Sequence, residues 1–158
     1  DNTENKFRQK CYNVEDFQRL AKQVLPKDLY EYLASGTDDE QTLVMNRISF
    51  QMWYLRPRVL RPVGKISTRT TLFGELVSMP IFCSPAGVHA LCEPNGGECS
   101  TAEACRQAGI LFGLSQHSTR SIEQVAGAVS PLETNLWYQA YILKDRARTL
   151  RLIRRATQ

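Results

Sequence analysis

No stretch of about 18 apolar residues occurs in this 158-residue chain, so no segment reads as a membrane-spanning helix. Histidine is nearly absent: there are two, and the five cysteines (11, 83, 92, 99 and 105) form no C-x-x-C pair, which argues against a zinc site. No N-x-S/T sequon and no signal-like apolar stretch is present. With the odd cysteine count, these absences point to a soluble protein in a reducing, intracellular setting. Low-complexity tracts, internal linkers and a second domain are also missing. Charge is nearly balanced at a net +4, and the excess is local. Six basic residues against one acid, Asp145, lie between Lys144 and Arg155. Arg148, Arg151 and Arg155 share one helical face, and Ala147, Leu150 and Ile153 share another. No aromatic is interleaved among those cations, so a solvated helix face is expected there, and no nucleic-acid partner.

What is present is a threefold pattern. The segments Pro80–Gly87, Ile110–His117 and Leu136–Tyr141 each run from an apolar strand-like stretch into polar or flexible residues, and a helical pattern follows each. The strand starts at Ile81, Ile110 and Leu136 are 29 and 26 residues apart, about one βα unit. Continuous apolar runs suit parallel strands buried on both faces. In a (β/α) barrel the chemistry sits at the carboxyl ends of the strands. Ser84–Gly87, Ser115–His117 and Gln139–Tyr141 are therefore expected to share one rim. Between the runs, Cys99, Ala102, Cys105 and Ala108 form a small-residue stripe for close packing on a sheet. Gly109 ends that helix, and Ser121-Ile122-Glu123-Gln124 is a capping box for the next.

The first 80 residues read as helices, then irregular chain. Asn13 can cap a helix with Val14, Phe17, Leu20, Ala21 and Val24 on one apolar face. Pro26 suits the first turn of a second helix, Asp28 to Ser35, which Gly36 ends. Thr37-Asp38-Asp39-Glu40 reads as a capping box opening a third helix to about Phe50. The prolines at 57 and 62 make Arg56–Pro62 extended. Thr70–Phe73 and Leu76–Ser78 flank a Gly74-Glu75 turn, a hairpin placed to close the floor of a barrel. Eight βα units need about 250 residues, so the expected architecture is α/β: a partial TIM (β/α)8 barrel with N-terminal helices, a hairpin and about three units. Residues 1–158 are then the N-terminal part of one domain in a longer protein.

Leu25-Pro26-Lys27-Asp28-Leu29-Tyr30-Glu31-Tyr32-Leu33-Ala34-Ser35-Gly36, Asn46-Arg47 and Arg56-Pro57-Arg58 carry a family likeness. It continues through Ser78-Met79-Pro80-Ile81, Glu98, Leu114-Ser115, Ser121–Val125, Tyr138–Tyr141 and Lys144-Asp145-Arg146. In order and spacing this series resembles the FMN-dependent 2-hydroxy-acid oxidases and dehydrogenases. That family includes glycolate oxidase, lactate oxidase and the flavin domain of flavocytochrome b2. The resemblance implies a TIM barrel with FMN over its carboxyl rim, oxidising a small 2-hydroxy acid to the 2-keto acid and passing electrons to oxygen or another acceptor. By position it implies that Tyr32 and Tyr141 contact substrate, that Pro85, Ala86 and Gly87 approach the flavin through backbone, and that Ser115 and Gln139 hydrogen-bond its ring. Two phenols suit a carboxylate and a hydroxyl or keto oxygen, and Gln can donate to and accept from a flavin edge.

The sequence departs from the family where Ala86-Gly87 replaces the common Thr-Ala, Ala140 replaces the more usual Leu, and the Asn95-Gly96-Gly97 turn is one residue longer than the common turn. His117 stands where a Trp is common, as a wall of the substrate pocket. The resemblance places the proton-abstracting histidine, the carboxylate-binding arginine and the phosphate-binding groups on later strands. These 158 residues alone are then inactive, and the completed protein is expected to be a homo-oligomer, peroxisomal if eukaryotic. Two alternatives remain open: a truncated non-catalytic product acting as an interaction partner, and another FMN barrel such as isopentenyl-diphosphate isomerase. Tyr32 and the Gln139–Tyr141 pair favour the hydroxy-acid branch.

Overall fold

The structure, a computed structural model, describes residues 11–129 and 136–157. The chain divides into two compact units, Asp1–Arg61 and Pro62–Gln158.

In the first unit, helix α1 (Val14–Val24) starts on Asn13. The Asn13 Oδ1 accepts from the Asp16 amide at 2.9 Å, and Asp16 Oδ2 accepts from the amides of Asn13 at 3.2 Å and Tyr12 at 2.7 Å. This capping box satisfies helix-start amides that would otherwise lack partners. Helix α2 (Lys27–Ala34) has Pro26 at its N-cap, one place earlier than expected, and Ser35 at its C-cap with Gly36 just beyond. Helix α3 (Gln41–Gln51) does not start on a Thr37 box. A turn closes from the Glu40 amide to the Thr37 carbonyl at 3.0 Å, which spends Thr37 four residues before the helix. Glu40 is the N-cap, at φ 56°, and its carboxylate reaches back to the Gly36 amide at 2.9 Å.

The expected apolar face of α1 is only partly covered. Leu20 and Ala21 are half-buried, whereas Val14, Phe17 and Val24 are exposed. The eight-residue α2 meets α1 mid-length, where Gln18 and Lys22 approach Tyr30. Polar ties supplement this packing: Arg47 donates to Glu15 at 3.2 Å and to Gln18 at 2.7 Å. Residues 53–69 lie outside helix and strand, as the prolines at 57 and 62 require.

The second unit begins with a hairpin, β1 (Thr70–Leu72) against β2 (Glu75–Val77). Its turn is Phe73-Gly74, one residue earlier than the sequence suggests. Both residues have positive φ, 51° and 91°, the backbone of a type I′ turn. The hairpin is tied to the floor of a second sheet. Ser78 Oγ donates to the Ala108 carbonyl at 2.5 Å, the Ser78 amide to the Gly109 carbonyl at 2.8 Å, and Phe73 meets the Trp137 ring edge-on.

That second sheet is parallel, in the order β3 (Phe82–Ala86), β4 (Leu111–Ser115), β5 (Leu136–Gln139). Helix α4 (Glu98–Ala108) joins β3 to β4, and α5 (Ile122–Ala128) joins β4 towards β5; α6 (Arg146–Ala156) follows β5. Burial separates the strands. All five residues of the central β4 are buried, but Phe82, Ser84, Pro85 and Ala86 of β3 are exposed. The expectation of strands covered on both faces therefore holds for β4 alone, because β3 and β5 are the sheet's edges among the described residues. Ala102 and Cys105 of α4 pack with Phe112, Leu114, Val125 and Val129 in the core, and Cys99 lies against it; Ala108 is exposed and drops out of the stripe.

On α6, Arg148, Arg151 and Arg155 are solvated as expected, but Leu150 and Ile153 are exposed too. The helix turns inward on Thr149, whose hydroxyl accepts from the Leu143 amide at 3.1 Å and is spaced to return to the Asp145 carbonyl. Asp145 caps it by accepting from Arg148 N.

Candidate functional site

Three strand ends place polar groups side by side at the carboxyl edge of the parallel sheet. Register sets the first pair: Ser115, the last residue of β4, lies opposite Gln139, the last of β5. The Ser115 hydroxyl donates to Gln139 Oε1 at 3.3 Å, and the Gln116 amide donates to the same oxygen at 3.4 Å. With that carbonyl engaged, the group Gln139 has to offer is its NH2, a pair of donors. The Ser115 oxygen in turn accepts from the His117 amide at 3.1 Å. Gln116 Oε1 accepts from the Tyr141 amide at 2.7 Å, so the β4 loop holds the start of the β5 loop. The rings of His117 and Tyr141 then stand 4.9 Å apart, both exposed.

The β3 loop joins the same edge. The Val88 amide donates to the His117 carbonyl at 3.2 Å. Gly87 makes this approach possible, since a Cβ there would lie 3.0 Å from the His117 carbonyl oxygen and 3.1 Å from its Cβ. The replacements at 87 and 117 are thus two sides of one contact. Pro85, Ala86, Gly87, Ser115, His117, Gln139 and Tyr141 all stand on this rim. Tyr32 belongs to α2 of the first unit, where it is exposed.

Beneath the two loops lies Glu98, fully buried at the start of α4. Its carboxylate accepts from the His89 amide at 3.0 Å, the Thr119 amide at 2.9 Å, the Thr119 hydroxyl at 2.6 Å and the Arg120 amide at 3.1 Å. Burial pushes its pKa up, but the Thr119 hydroxyl and amide and the His89 amide outweigh it and bring the carboxyl below its ordinary range. Arg120 turns the other way, donating to the carbonyls of Gly96 (3.2 Å), Pro94 (2.7 Å) and Asn95 (2.9 Å). In the same longer turn, Glu93 accepts from the amides of Asn95, Gly96 and Gly97.

The sequence signalled Glu98 only through the family likeness, placed Gln116 on the rim within Ser115–His117 without a role of its own, and gave Thr119 and Arg120 none. Apart from His89, nine positions before Glu98, the partners named above lie more than 20 positions away, beyond the reach of local pattern. The usable signal for Glu98 was a carboxylate directly after Gly96-Gly97 on the apolar side of a helix. On the outer flank of the β4 loop, Gln116, Thr119, Arg120, Tyr138 and Arg155 line an open cleft of about 240 Å³. Among the described residues no three metal-ligating side chains cluster, and no helix is long and apolar enough to cross a membrane.

Comparison with known proteins adds the following. A family model described as FMN-dependent dehydrogenase matches residues 21–158. Glycolate oxidase 5 of Oryza sativa subsp. japonica is 42% identical over 144 residues, which is 91% of this chain and 38% of that protein. A mutant flavocytochrome b2 with pyruvate bound superposes with a TM-score of 0.90 at 29% identity, over 94% of this chain and 38% of that one. A soluble mutant of the membrane-associated (S)-mandelate dehydrogenase from Pseudomonas putida gives 0.84 at 35% identity, over 92% and 40%. The chain therefore spans well under half the length of the relatives it matches.

Proposed function

Because the chain belongs to the FMN-dependent dehydrogenase family, we propose that the protein carrying it holds FMN over this rim and oxidises a 2-hydroxy acid to the 2-keto acid. The observation that carries the reading is the Ser115–Gln139 pair, locked by strand register and flanked by His117 and Tyr141. FMN, when bound, supplies a two-electron acceptor. The Gln139 NH2 offers donors to the polar edge of its ring, and the Ser115 oxygen, whose proton goes to Gln139, offers its remaining lone pair. Pro85, Ala86 and Gly87 offer a low wall through which backbone comes close to it, with no side chain at 87. The Tyr141 phenol donates to the substrate carboxylate or oxygen, and His117 bounds the space for the substrate's side chain. Tyr32 is assigned the second phenol. The base, the carboxylate-binding cation and the phosphate site are assigned to strands outside these three, in a closed eight-unit barrel. The electron acceptor is oxygen or another oxidant.

The test is anaerobic addition of glycolate, lactate and mandelate to the full-length protein purified with its flavin. Bleaching of the visible flavin band by at least one of them is the expected result. A protein without FMN, or with FMN that none of the three reduces, would overturn the reading.

A further inference from the structure

The structure assigns Glu98, with Thr119, the role of a positioning residue that clamps the β3 and β4 rim loops together so that Gly87, Ser115 and His117 present one surface to FMN. The inference rests on the flavin reading above and goes beyond it by naming what holds the rim in place.

Glu98 touches neither loop tip. Its two oxygens take the His89 amide from the first loop and the Thr119 amide, Thr119 hydroxyl and Arg120 amide from the second. Thr119 Oγ1 then accepts from the Ala90 amide at 3.2 Å, back in the first loop. Arg120 grips the carbonyls of residues 94–96. Each loop thus donates to, or accepts from, a group fixed on the other, just behind the Val88–His117 backbone contact. A fully buried carboxylate is costly unless its oxygens are satisfied, and here four donors, three of them backbone amides, satisfy them. Glu98 is the first residue of α4, but an ordinary helix-start carboxylate need not also accept from two separate loops, as this one does from His89 and from Thr119 and Arg120. Glutamine in its place keeps the shape but turns an NH2 towards donors, so one loop must let go.

The test compares Glu98→Gln, Thr119→Val and Thr119→Ser with wild type in the full-length FMN-loaded protein, and uses Val129→Ala as a core control. The readouts are amide exchange at His89, Thr119 and Arg120, FMN affinity by flavin fluorescence, flavin circular dichroism in the visible, and kcat/KM. Glu98→Gln and Thr119→Val should lose protection at those amides, weaken FMN binding at least about tenfold and change the flavin dichroism. Thr119→Ser should restore all of these. Val129→Ala should lower Tm and leave FMN affinity within twofold. Glu98→Gln with FMN affinity, dichroism and kcat/KM all within twofold of wild type would overturn the clamp, as would Val129→Ala matching it in every flavin readout. Wild-type protein that binds no FMN would overturn the flavin reading itself, a result separable from loss of the clamp because amide exchange is compared in the flavin-free full-length proteins as well.

Discussion

Gly113 has no space for a side chain. A Cβ there would stand 2.8 Å and 2.9 Å from two ring carbons of Pro85. The cause is in β3, where Pro85 has no N–H to give the ladder. Pairing runs from Cys83 with Phe112 directly to Ala86 with Leu114, so Ser84 and Pro85 together face Gly113. This bulge lets the Pro85 ring settle on the bare glycine and aims Ala86-Gly87 at His117. Gly113→Ala should therefore cost about 1–3 kcal/mol, the usual range for overpacking, although alanine is otherwise the better strand residue. The midpoint of denaturant unfolding measures this, and a midpoint equal to or above wild type would show that the bulge does not depend on the glycine. The five-residue run of β4 was legible as a buried strand. The need for glycine within it was not, because that need arises from a proline on the neighbouring strand.

At the level of elements, boundaries were readable where a local hydrogen bond sets them and shifted where a turn competes. Asn13 and Ser121 cap α1 and α5 as their sequences suggest, with the Ser121 hydroxyl accepting from the Gln124 amide at 3.2 Å. Thr37 fails because its carbonyl is taken into a turn, and the hairpin turn slips by one because Phe73 adopts positive φ beside Gly74. The rim followed from strand ends alone, yet its stitching did not. Gln116 to Tyr141 and Glu98 to Thr119 join elements that only the fold brings together.

The helix-to-helix tie has a pH signature. Arg155 on α6 donates twice to Glu123 on α5, at 2.8 Å and 2.9 Å, and holds that carboxyl at about 2. Glu103 is likewise held at about 2 by Arg106 one turn away and by Gln107. A carboxyl whose folded pKa is depressed stabilises the fold above its ordinary value of 4.5 and loses that contribution as pH falls towards 2. Stability should accordingly fall with acid between about pH 4.5 and 2, and Glu123→Gln should flatten part of that fall, while near neutrality, where the carboxyl does not titrate, the pH slope stays as in wild type. Urea midpoints across this range test it. A Glu123→Gln slope parallel to wild type would remove the pair from the acid response, which is the expected behaviour of an exposed pair that solvent fully screens.

For the whole molecule, the question is what the exposed apolar side chains do. Ile81 and Phe82 on edge strand β3 are 57% and 48% exposed, and Ile142 after β5 is 73% exposed. Both outer edges of the parallel sheet carry backbone groups without a strand partner among the described residues, the arrangement most prone to pairing between chains. Scattered exposed apolar residues are normal on any protein; several beside an open edge are an association surface. The 158 residues expressed by themselves should therefore self-associate, and they should turn over no 2-hydroxy acid under the functional reading. Light scattering on size-exclusion chromatography reads the first, and steady-state assays with glycolate and lactate read the second. Association should weaken when Phe82 is changed to Lys, because a charge on an edge strand opposes pairing. A monodisperse monomer with one cooperative melt would show that these edges are protected without further strands, and would remove the sheet edge as the reason for requiring a closed barrel.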